Sequence, residues 1–332
     1  MTDSPVVSPS TTAWTRHILR KNAVLVAFVV LTLLAWLRYD GFLGNHNVTE
    51  FLRYNARFGF IALGMTFVII TGGIDLSVGS VVALASVLAA LCSPYGLLPA
   101  LVIPVLAGGL VGALNGTMVA VAGVPSFIAT LVSMMAVRGL ALIVASEQSV
   151  PVDMGCAVIT IGEANIAGWM PVPMALLLLA YAGGWVVFNY APIGRQVVAV
   201  GDHEAAARLM GVPVSRVKLF VYVLSGVLAG WAGVLLAASS FSGLPTEGVS
   251  WELQVIAAVV VGGTLLTGGS GSVGGTFVGV LLLGLIFKIL DFENGLGGFD
   301  LKAHWQSVIR GIFLLLVVVF QSRRVPGRTG RQ

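Results

Sequence analysis

Charged residues are scarce in this chain. Only 10% of its 332 residues are Asp, Glu, Lys or Arg, whereas an average soluble protein carries about 25%. Hydrophobic residues make up 57% of the sequence, and the mean hydropathy is +0.98. So few charges cannot cover the surface of a soluble domain of this length. The composition therefore excludes a soluble enzyme, a disordered chain and a nucleic-acid-binding protein, and it indicates a protein that crosses a membrane several times.

Residues that carry chemistry are also sparse. Two cysteines cannot form a disulfide framework, and the four histidines are far apart, with none at metal-ligand spacing from a cysteine. The sequence contains no G-x-x-x-x-G-K-[ST] phosphate loop and no G-x-S-x-G motif, and no histidine lies within an apolar run. These absences exclude ATP binding through a phosphate loop in this chain and make an intramembrane protease a poor candidate. No cofactor and no metal is predicted for the chain itself.

Apolar runs long enough to cross a bilayer recur throughout the sequence. A crossing takes about 20 apolar residues, and ten segments approach that length, although some are short. Glycine is abundant, with 42 residues, and small residues let membrane helices pack closely. The sequence predicts an all-α polytopic membrane protein of about ten transmembrane helices, some of them broken. The predicted segments are 23–37, 51–71, 76–92, 97–122, 126–145, 172–190, 219–238, 252–266, 275–290 and 306–321.

The distribution of charge gives the predicted orientation. With ten crossings, the segments 1–22, 191–218 and 322–332 share one side of the membrane, and they hold eleven of the 18 basic residues. Ten of the 14 acidic residues fall on the other side. Basic loops face the cytoplasm, so both termini are predicted to be cytoplasmic in an inner membrane. The chain then divides into a cytoplasmic segment 1–22, a transmembrane domain 23–321 and a cytoplasmic tail 322–332.

A short motif occurs twice. Residues 71–80 read TGGIDLSVGS and residues 267–275 read TGGSGSVGG, so both copies are TGG followed by SVG. Six predicted crossings separate the copies, and an even number favours a parallel internal repeat, an architecture that many transporters use. Chance recurrence in a glycine-rich chain is the alternative. The interrupted helices include Gly72 and Gly73 in the first copy and Gly268, Gly269 and Ser270 in the second.

Two charges stand out within the apolar segments. Asp75 follows the Gly72-Gly73 break and precedes a new apolar run, so it is placed to cap the next helix. A functional alternative makes it a polar element of the translocation path, together with Thr71, Ser77 and Asn115. Arg138, within the segment 126–145, is the second charge, and no residue can be identified from the sequence as its partner.

The polar segment 191–218 contains a predicted short helix. Asp202 is a plausible N-cap, Glu204 falls in the first turn, and Gly211 fits a C-terminal cap. A capped helix with exposed apolar residues favours docking to a partner over a solvated connector. The predicted docking helix comprises Asp202, His203, Glu204, Ala205, Ala206, Arg208, Leu209, Met210 and Gly211.

Several motifs resemble those of one transporter family. The run GMTFVIITGGIDLSVGS at 64–80, VPSFIATL at 124–131 and the GGT and GGSGS motifs at 262–264 and 268–272 are similar to the permease subunits of ribose-type sugar ABC importers. The likeness extends from about residue 20 to 320. The stretches 146–151 and 263–269 are most similar to the galactofuranose-transporter permease branch of that family.

The resemblance implies a set of partners. It implies a second permease subunit, identical or different, a periplasmic sugar-binding protein, and separate ATPase subunits that bind ATP and magnesium. The helix near 202–211 is then the coupling helix that docks on the ATPase, and the chain performs no chemistry itself. An ion- or proton-coupled secondary carrier and an exporter permease of similar fold are the alternatives.

Overall fold

The structure is a computed structural model that describes residues 23–295 and three further positions, Val308, Gly311 and Ile312. The predicted segments 1–22 and 322–332 lie outside the described residues, as does most of the predicted tenth crossing. Twelve α-helices lie within 23–295: α1 (Ala23–Arg38), α2 (Asn45–Ile70), α3 (Val78–Cys92), α4 (Leu97–Ala120), α5 (Ser126–Val144), α6 (Val158–Glu163), α7 (Val172–Asn189), α8 (Pro192–Asp202), α9 (Glu204–Leu209), α10 (Val214–Ser240), α11 (Trp251–Val261) and α12 (Val273–Gly295).

Strands are few and very short in the described residues. They are β1 (Val150–Pro151), β2 (Asn165–Ile166), β3 (Met170–Pro171) and β4 (Ser242–Gly243). They form two antiparallel pairs, β1 with β4 and β2 with β3. A single turn of 3-10 helix, Ser93–Tyr95, follows α3.

The helices occupy nine of the ten predicted segments. Six described helices are long and apolar enough to cross a membrane, namely α3 with its 3-10 extension, α4, α5, α7, α10 and α12. Helices α1 and α11 are apolar but shorter. Helix α11 ends at Val261, so the predicted segment 252–266 is only partly helical. The fold is that of a helical membrane protein, and ten crossings remain a prediction.

Successive long helices run between two ends of the bundle. The "α9 end" comprises residues 71–77, 119–126, 190–213 and 262–272, which approach one another. The "far end" comprises residues 38–44, 93–97, 145–171 and 241–244, whereas the rest of the α10–α11 connection runs back along α3 to Gly79. The far end is held together by contacts such as the β1–β4 pair and the hydrogen bond from Asp153 N to Ser93 Oγ.

Helix α10 lies at the centre and packs against α2, α3 and α4. Its contact with α4 is made through glycines. A Cβ atom at Gly230 would lie 2.9 Å from the Pro104 carbonyl oxygen, and one at Gly116 would lie 3.0 Å from the Leu219 Cα. Gly108 and Gly226 face each other more closely still. Because only glycine permits this approach, α4 and α10 form a tightly packed pair.

Candidate functional site

The predicted docking helix is present as α9. It begins at Glu204, and the Gly211 backbone has a φ of +80°. The Gly211 N–H donates to the Arg208 carbonyl and the Val212 N–H donates to the Ala207 carbonyl, so the helix ends as predicted, in a glycine cap.

The predicted N-cap of α9 is wrong. Asp202 is the last residue of α8, and His203 takes the N-cap position, where its Nδ1 accepts a hydrogen bond of 3.1 Å from the Ala206 N–H. The reason is that residues Pro192–Asp202 form a helix of their own. The sequence pattern predicts a loop over these residues. Two helices, α8 and α9, separated by the extended residue His203, therefore stand where one helix is predicted.

One side of α9 is exposed and apolar. Leu209 is 90% exposed and Met210 is 72% exposed, whereas Ala207 is fully buried against the bundle. A soluble surface can carry single exposed apolar residues without consequence. Leu209 and Met210 are adjacent at the end of a capped helix, so together they form a small exposed apolar surface. This arrangement fits the predicted docking role, which remains a prediction for Ala205, Ala206 and the other residues of the helix.

The Glu204 carboxylate joins α9 to α10. Its Oε1 accepts from Arg208 at 3.1 Å, one turn along the same helix, and its Oε2 accepts from Lys218 Nζ at 2.7 Å. The hydrogen bond with Lys218 holds the pKa of the Glu204 carboxyl below its ordinary value. The carboxylate is therefore ionised at neutral pH, and the pair with Lys218 is lost only as the pH falls through that lowered pKa.

A cleft of about 440 Å³ opens beside α9. Thr71, Gly72, Gly73 and Tyr222 line one wall, and the α4–α5 connection at 119–126 lines another. The charged side chains Glu204, Arg208 and Lys218 lie at its edge. The structure thus brings three of the predicted path residues to one polar cleft, next to the predicted docking helix.

Asp75 lies away from this cleft and is buried, with 1% of its surface exposed. Its Oδ1 accepts from the Ser77 N–H at 3.0 Å and from Ser77 Oγ at 2.6 Å, and its Oδ2 accepts from Ser225 Oγ at 2.8 Å. Ser77 is the N-cap residue of α3. The N-cap is therefore Ser77 and not Asp75 as predicted, and Asp75 supports the helix start by accepting hydrogen bonds from that N-cap residue.

The hydrogen bonds continue from Ser77 into two more helices. Asn115 Nδ2, on α4, donates to Ser77 Oγ at 2.9 Å, and Ser133 Oγ, on α5, donates to Asn115 Oδ1. Together with Ser225 on α10, these residues form the "Asp75 network", which comprises Asp75, Ser77, Asn115, Ser133 and Ser225. All of its members except Ser133 are fully buried. A buried carboxylate requires such donors, because an unsatisfied one would be costly.

The second copy of the motif meets the first. The Gly269 N–H donates to the Ile70 carbonyl at 2.9 Å, where α2 ends. A Cβ atom at Gly268 would lie 2.9 Å from the Gly72 nitrogen and 3.0 Å from the Gly201 oxygen. The Ser270 carbonyl accepts from the Leu265 N–H within the same turn. Both predicted breaks therefore lie at the α9 end, against each other and against the end of α8.

Two arginines, Arg138 and Arg53, have partners that the sequence does not predict. Arg138 donates to the backbone carbonyls of Pro245 and Glu247, so it is anchored to the α10–α11 connection. Arg53 was missed, although it lies within a predicted crossing. It donates to Glu50 at 2.7 Å and to the Glu163 side chain at 3.1 Å.

Arg57 was missed in the same way. It lies one turn beyond Arg53 on α2, its guanidinium carbon is 5.3 Å from the centre of the Tyr54 ring, and its Nη1 lies 3.5 Å from Ser239 Oγ. The sequence does contain a pattern that could have identified both residues, because two arginines four residues apart interrupt an apolar run and lie on one face of a helix.

Metal-ligating side chains do not gather within residues 23–295. No group of three His, Cys, Asp or Glu side chains there could hold an ion. Cys92 and Cys156 are both free thiols.

Known proteins are similar to this chain over most of its length. A family model described as "Branched-chain amino acid transport system / permease component" matches residues 47–318. Ribose import permease protein RbsC of Haemophilus influenzae is 36% identical, over 92% of this chain and 93% of that protein. L-arabinose ABC transporter permease protein AraH of Azospirillum brasilense is 34% identical, over 93% and 89% respectively.

A third relative is also similar over most of its length. Xylose transport system permease protein XylH of Escherichia coli is 31% identical, over 90% of this chain and 91% of that protein. No solved structure matches the chain at a significant level. The family resemblance read from the motifs is confirmed, and these relatives are transport subunits, not enzymes. The chain belongs to the family of membrane-spanning ABC transporter permease components.

Proposed function

We propose that this chain is the membrane-spanning subunit of an ATP-driven importer of pentoses or hexoses. The observation that carries the proposal is α9, a capped helix outside the long helices that exposes Leu209 and Met210 at its end. A permease without an ATP site needs such a surface to receive work from a separate ATPase. The functions of the relatives, import or transport of ribose, arabinose and xylose, supply the substrate class.

The proposed mechanism is alternating access. A periplasmic binding protein delivers the sugar to the far end, and closure of the ATPase pair, with its ATP and magnesium, moves α9 and opens the opposite end. Such coupling works only if each partner binds the two states of the bundle with different affinity. A second permease subunit completes the path. We propose that the cleft beside Thr71, Gly72 and Gly73 is the inner end of this path in one subunit.

Orientation and repeat belong to the same proposal. We place the α9 end and both termini in the cytoplasm, since the basic residues Arg195, Arg208, Arg216 and Lys218 cluster there. In a parallel repeat α2 and α11 both run toward the α9 end, while α3 and α12 both run away from it. The meeting of Gly268 with Gly72 supports this relation.

The docking assignment is tested by replacing its apolar contact. We expect Leu209→Ser with Met210→Ser to weaken binding of the ATPase by about ten-fold or more, because burying either side chain contributes about 1.5–3 kcal/mol and 1.4 kcal/mol is ten-fold. ATPase binding to the permease in detergent micelles, and ATP-dependent sugar uptake into proteoliposomes, are the measurements. Arg195→Ser, an exposed change on the neighbouring helix α8, is the control. Unchanged binding in the double variant would refute the assignment.

The same proteoliposomes separate the rival functions. An ATP-driven importer takes up sugar only with the ATPase and with the binding protein outside, and it ignores ionophores. Uptake that persists without the ATPase and stops with an ionophore would identify a secondary carrier, and uptake independent of a binding protein would favour an exporter-type permease. Labelled ribose, arabinose, xylose and galactofuranose then distinguish the substrates, including the galactofuranose branch that the motifs at 146–151 suggest.

A further inference from the structure

The side chain that ties α9 to the bundle is Lys218. Its Nζ lies 2.7 Å from Glu204 Oε2, and its side chain is 17% exposed, whereas that of Arg208, the other partner of Glu204, is 66% exposed. The Glu204–Arg208 pair stays within one helix. The Glu204–Lys218 pair crosses from α9 to α10, so it is the one of these two ion pairs that can carry a displacement between helices.

Glu204 makes both of its ionic contacts within this chain, although 42% of its side chain is exposed. Both of its carboxylate oxygens are engaged by side chains of this chain, one by Arg208 and one by Lys218. A carboxylate that already accepts from two cations gains less from a cation on another protein, because part of its acceptor capacity is in use. Leu209 and Met210 face outward instead. Helix α9 thus combines an exposed apolar end with an ionic contact to α10.

Two contacts join the first turns of helix α10 to helix α4. Its first turn donates from Ser215 Oγ to the Ala120 carbonyl of α4 at 3.1 Å, and Gly116 of α4 packs against Leu219. The glycine contact continues to Gly230 and Pro104. A force applied at Lys218 is therefore received by α4 and α10 together, as one packed unit.

The same unit holds the Asp75 network. Ser225 lies about two turns beyond Lys218 on α10 and donates to Asp75, while Asn115 on α4 donates to Ser77. Ser77 caps α3, and Ser133 extends the network to α5. A displacement of α4 and α10 accordingly reaches the start of α3 and the interior face of α5 through short, buried hydrogen bonds.

We propose that the Glu204–Lys218 ion pair is the internal link through which α9 moves the α4–α10 unit, and that Lys218 is a positioning residue for transport. The proposal rests on the proposed function, since it assumes that a partner pushes on α9. It differs from a docking role for Glu204, because it assigns both ends of the contact to this chain.

A double-mutant cycle tests the link. Glu204→Gln, Lys218→Gln and the double variant are reconstituted with the ATPase, and sugar uptake per ATP hydrolysed is measured with basal and sugar-stimulated hydrolysis. We expect each single variant to lower uptake per ATP by about five-fold or more, a modest coupling effect. The double variant should be no worse than either single one, since both changes break the same contact. Lys218→Arg keeps the charge and should retain coupling.

The control is Arg216→Gln, which removes an exposed cation two residues earlier on the same helix. We expect it to leave uptake per ATP unchanged. ATPase binding should stay at the wild-type level in all variants, because Leu209 and Met210 are intact.

Four results would overturn the link: single variants that couple normally, losses in the double variant that multiply, loss of ATPase binding in Glu204→Gln, and loss of assembled complex in Lys218→Gln. The last result would make the pair a stabilising contact only. A wild-type complex that takes up no sugar would refute the proposed function instead, and a transporting wild type with equally active variants would refute the link alone.

Discussion

Substitution of Gly226 by alanine tests how closely α4 and α10 are packed. A methyl carbon at Gly226 would lie 2.9 Å from the carbonyl carbon of Gly108 and 3.0 Å from the backbone nitrogen of Gly112, and closer still to the Gly108 oxygen. Ordinary contacts between carbon atoms lie at about 3.5–4.0 Å. The two helices would therefore have to separate by at least about 0.5–1 Å.

The size of the effect follows from the atoms involved. Overpacking typically costs about 1–3 kcal/mol, and the upper end applies here because backbone atoms cannot rotate away. Alanine in place of glycine favours the helix by about 1 kcal/mol. We therefore expect Gly226→Ala to lower the free energy of unfolding by about 2 kcal/mol, or roughly 30-fold in the ratio of folded to unfolded protein.

The measurement is thermal unfolding of the purified permease in detergent micelles, followed by near-ultraviolet circular dichroism. Gly183→Ala is the matched control, since it lies within α7 and no heavy atom stands within 4 Å of its added methyl group. It should be neutral or stabilising by up to about 1 kcal/mol. A Gly226→Ala variant as stable as Gly183→Ala would refute the close packing of α4 on α10, and with it the unit on which the link from Lys218 depends.

Two further changes address the polar contacts at either end of the bundle. Asp75→Asn should lower the yield of folded protein more than it lowers transport per folded molecule, because an amide nitrogen replaces one of the oxygens that accept hydrogen bonds from Ser77 and Ser225; a well-folded variant without transport would reverse that weighting. Arg53→Gln should speed hydrogen exchange in α6 and β2 while leaving α9 unchanged, since Arg53 holds Glu163 and the Asn165 side chain; wild-type exchange in α6 would contradict the contact.

The positions of the long helices could be predicted because each helix coincides with one continuous apolar run in the sequence. Apolar composition and length sufficed to find α4, α5 and α7 to within a few residues. The ends were less accurate where polar residues continue a helix. Helix α2 begins at Asn45, six residues before the predicted start, because its first turns are polar; there Asn45 and Thr49 donate to the carbonyls of Gly168 and Trp169.

Local sequence features were sufficient to predict the first turn and the end of helix α9. Glu204 in the first turn and glycine at position 211 are sequence-local features, and both have the predicted roles. The neighbouring helix α8 was not predicted, since its pattern of Arg195, Gln196 and scattered valines has neither a long apolar run nor a clear stop. Its existence moved the helix boundary to His203 and displaced Asp202 from the capping position.

Partners that are distant in sequence could not be predicted from one chain. Ser225 lies 150 residues from Asp75, and Pro245 lies 107 residues from Arg138. No local spacing relates these pairs. What the sequence did establish is that each charge needed a partner, because an uncompensated charge within a membrane domain is costly. The identity of the partner depends on how the helices pack.

The sequence allows two interpretations of Asp75, a helix cap or a polar element of the translocation path. The contacts of Asp75 in the structure bear on both. The carboxylate is surrounded by donors from Ser77 and Ser225, and it does not line the cleft that Thr71, Gly72 and Gly73 border. Yet those three residues immediately precede it, so fixing Asp75 fixes one end of the short segment that forms the wall of the cleft. We infer that Asp75 holds this backbone segment in position and does not contact the sugar. A carboxylate that contacted the sugar would need access to the cleft, and burial of Asp75 denies it that access in this state of the bundle.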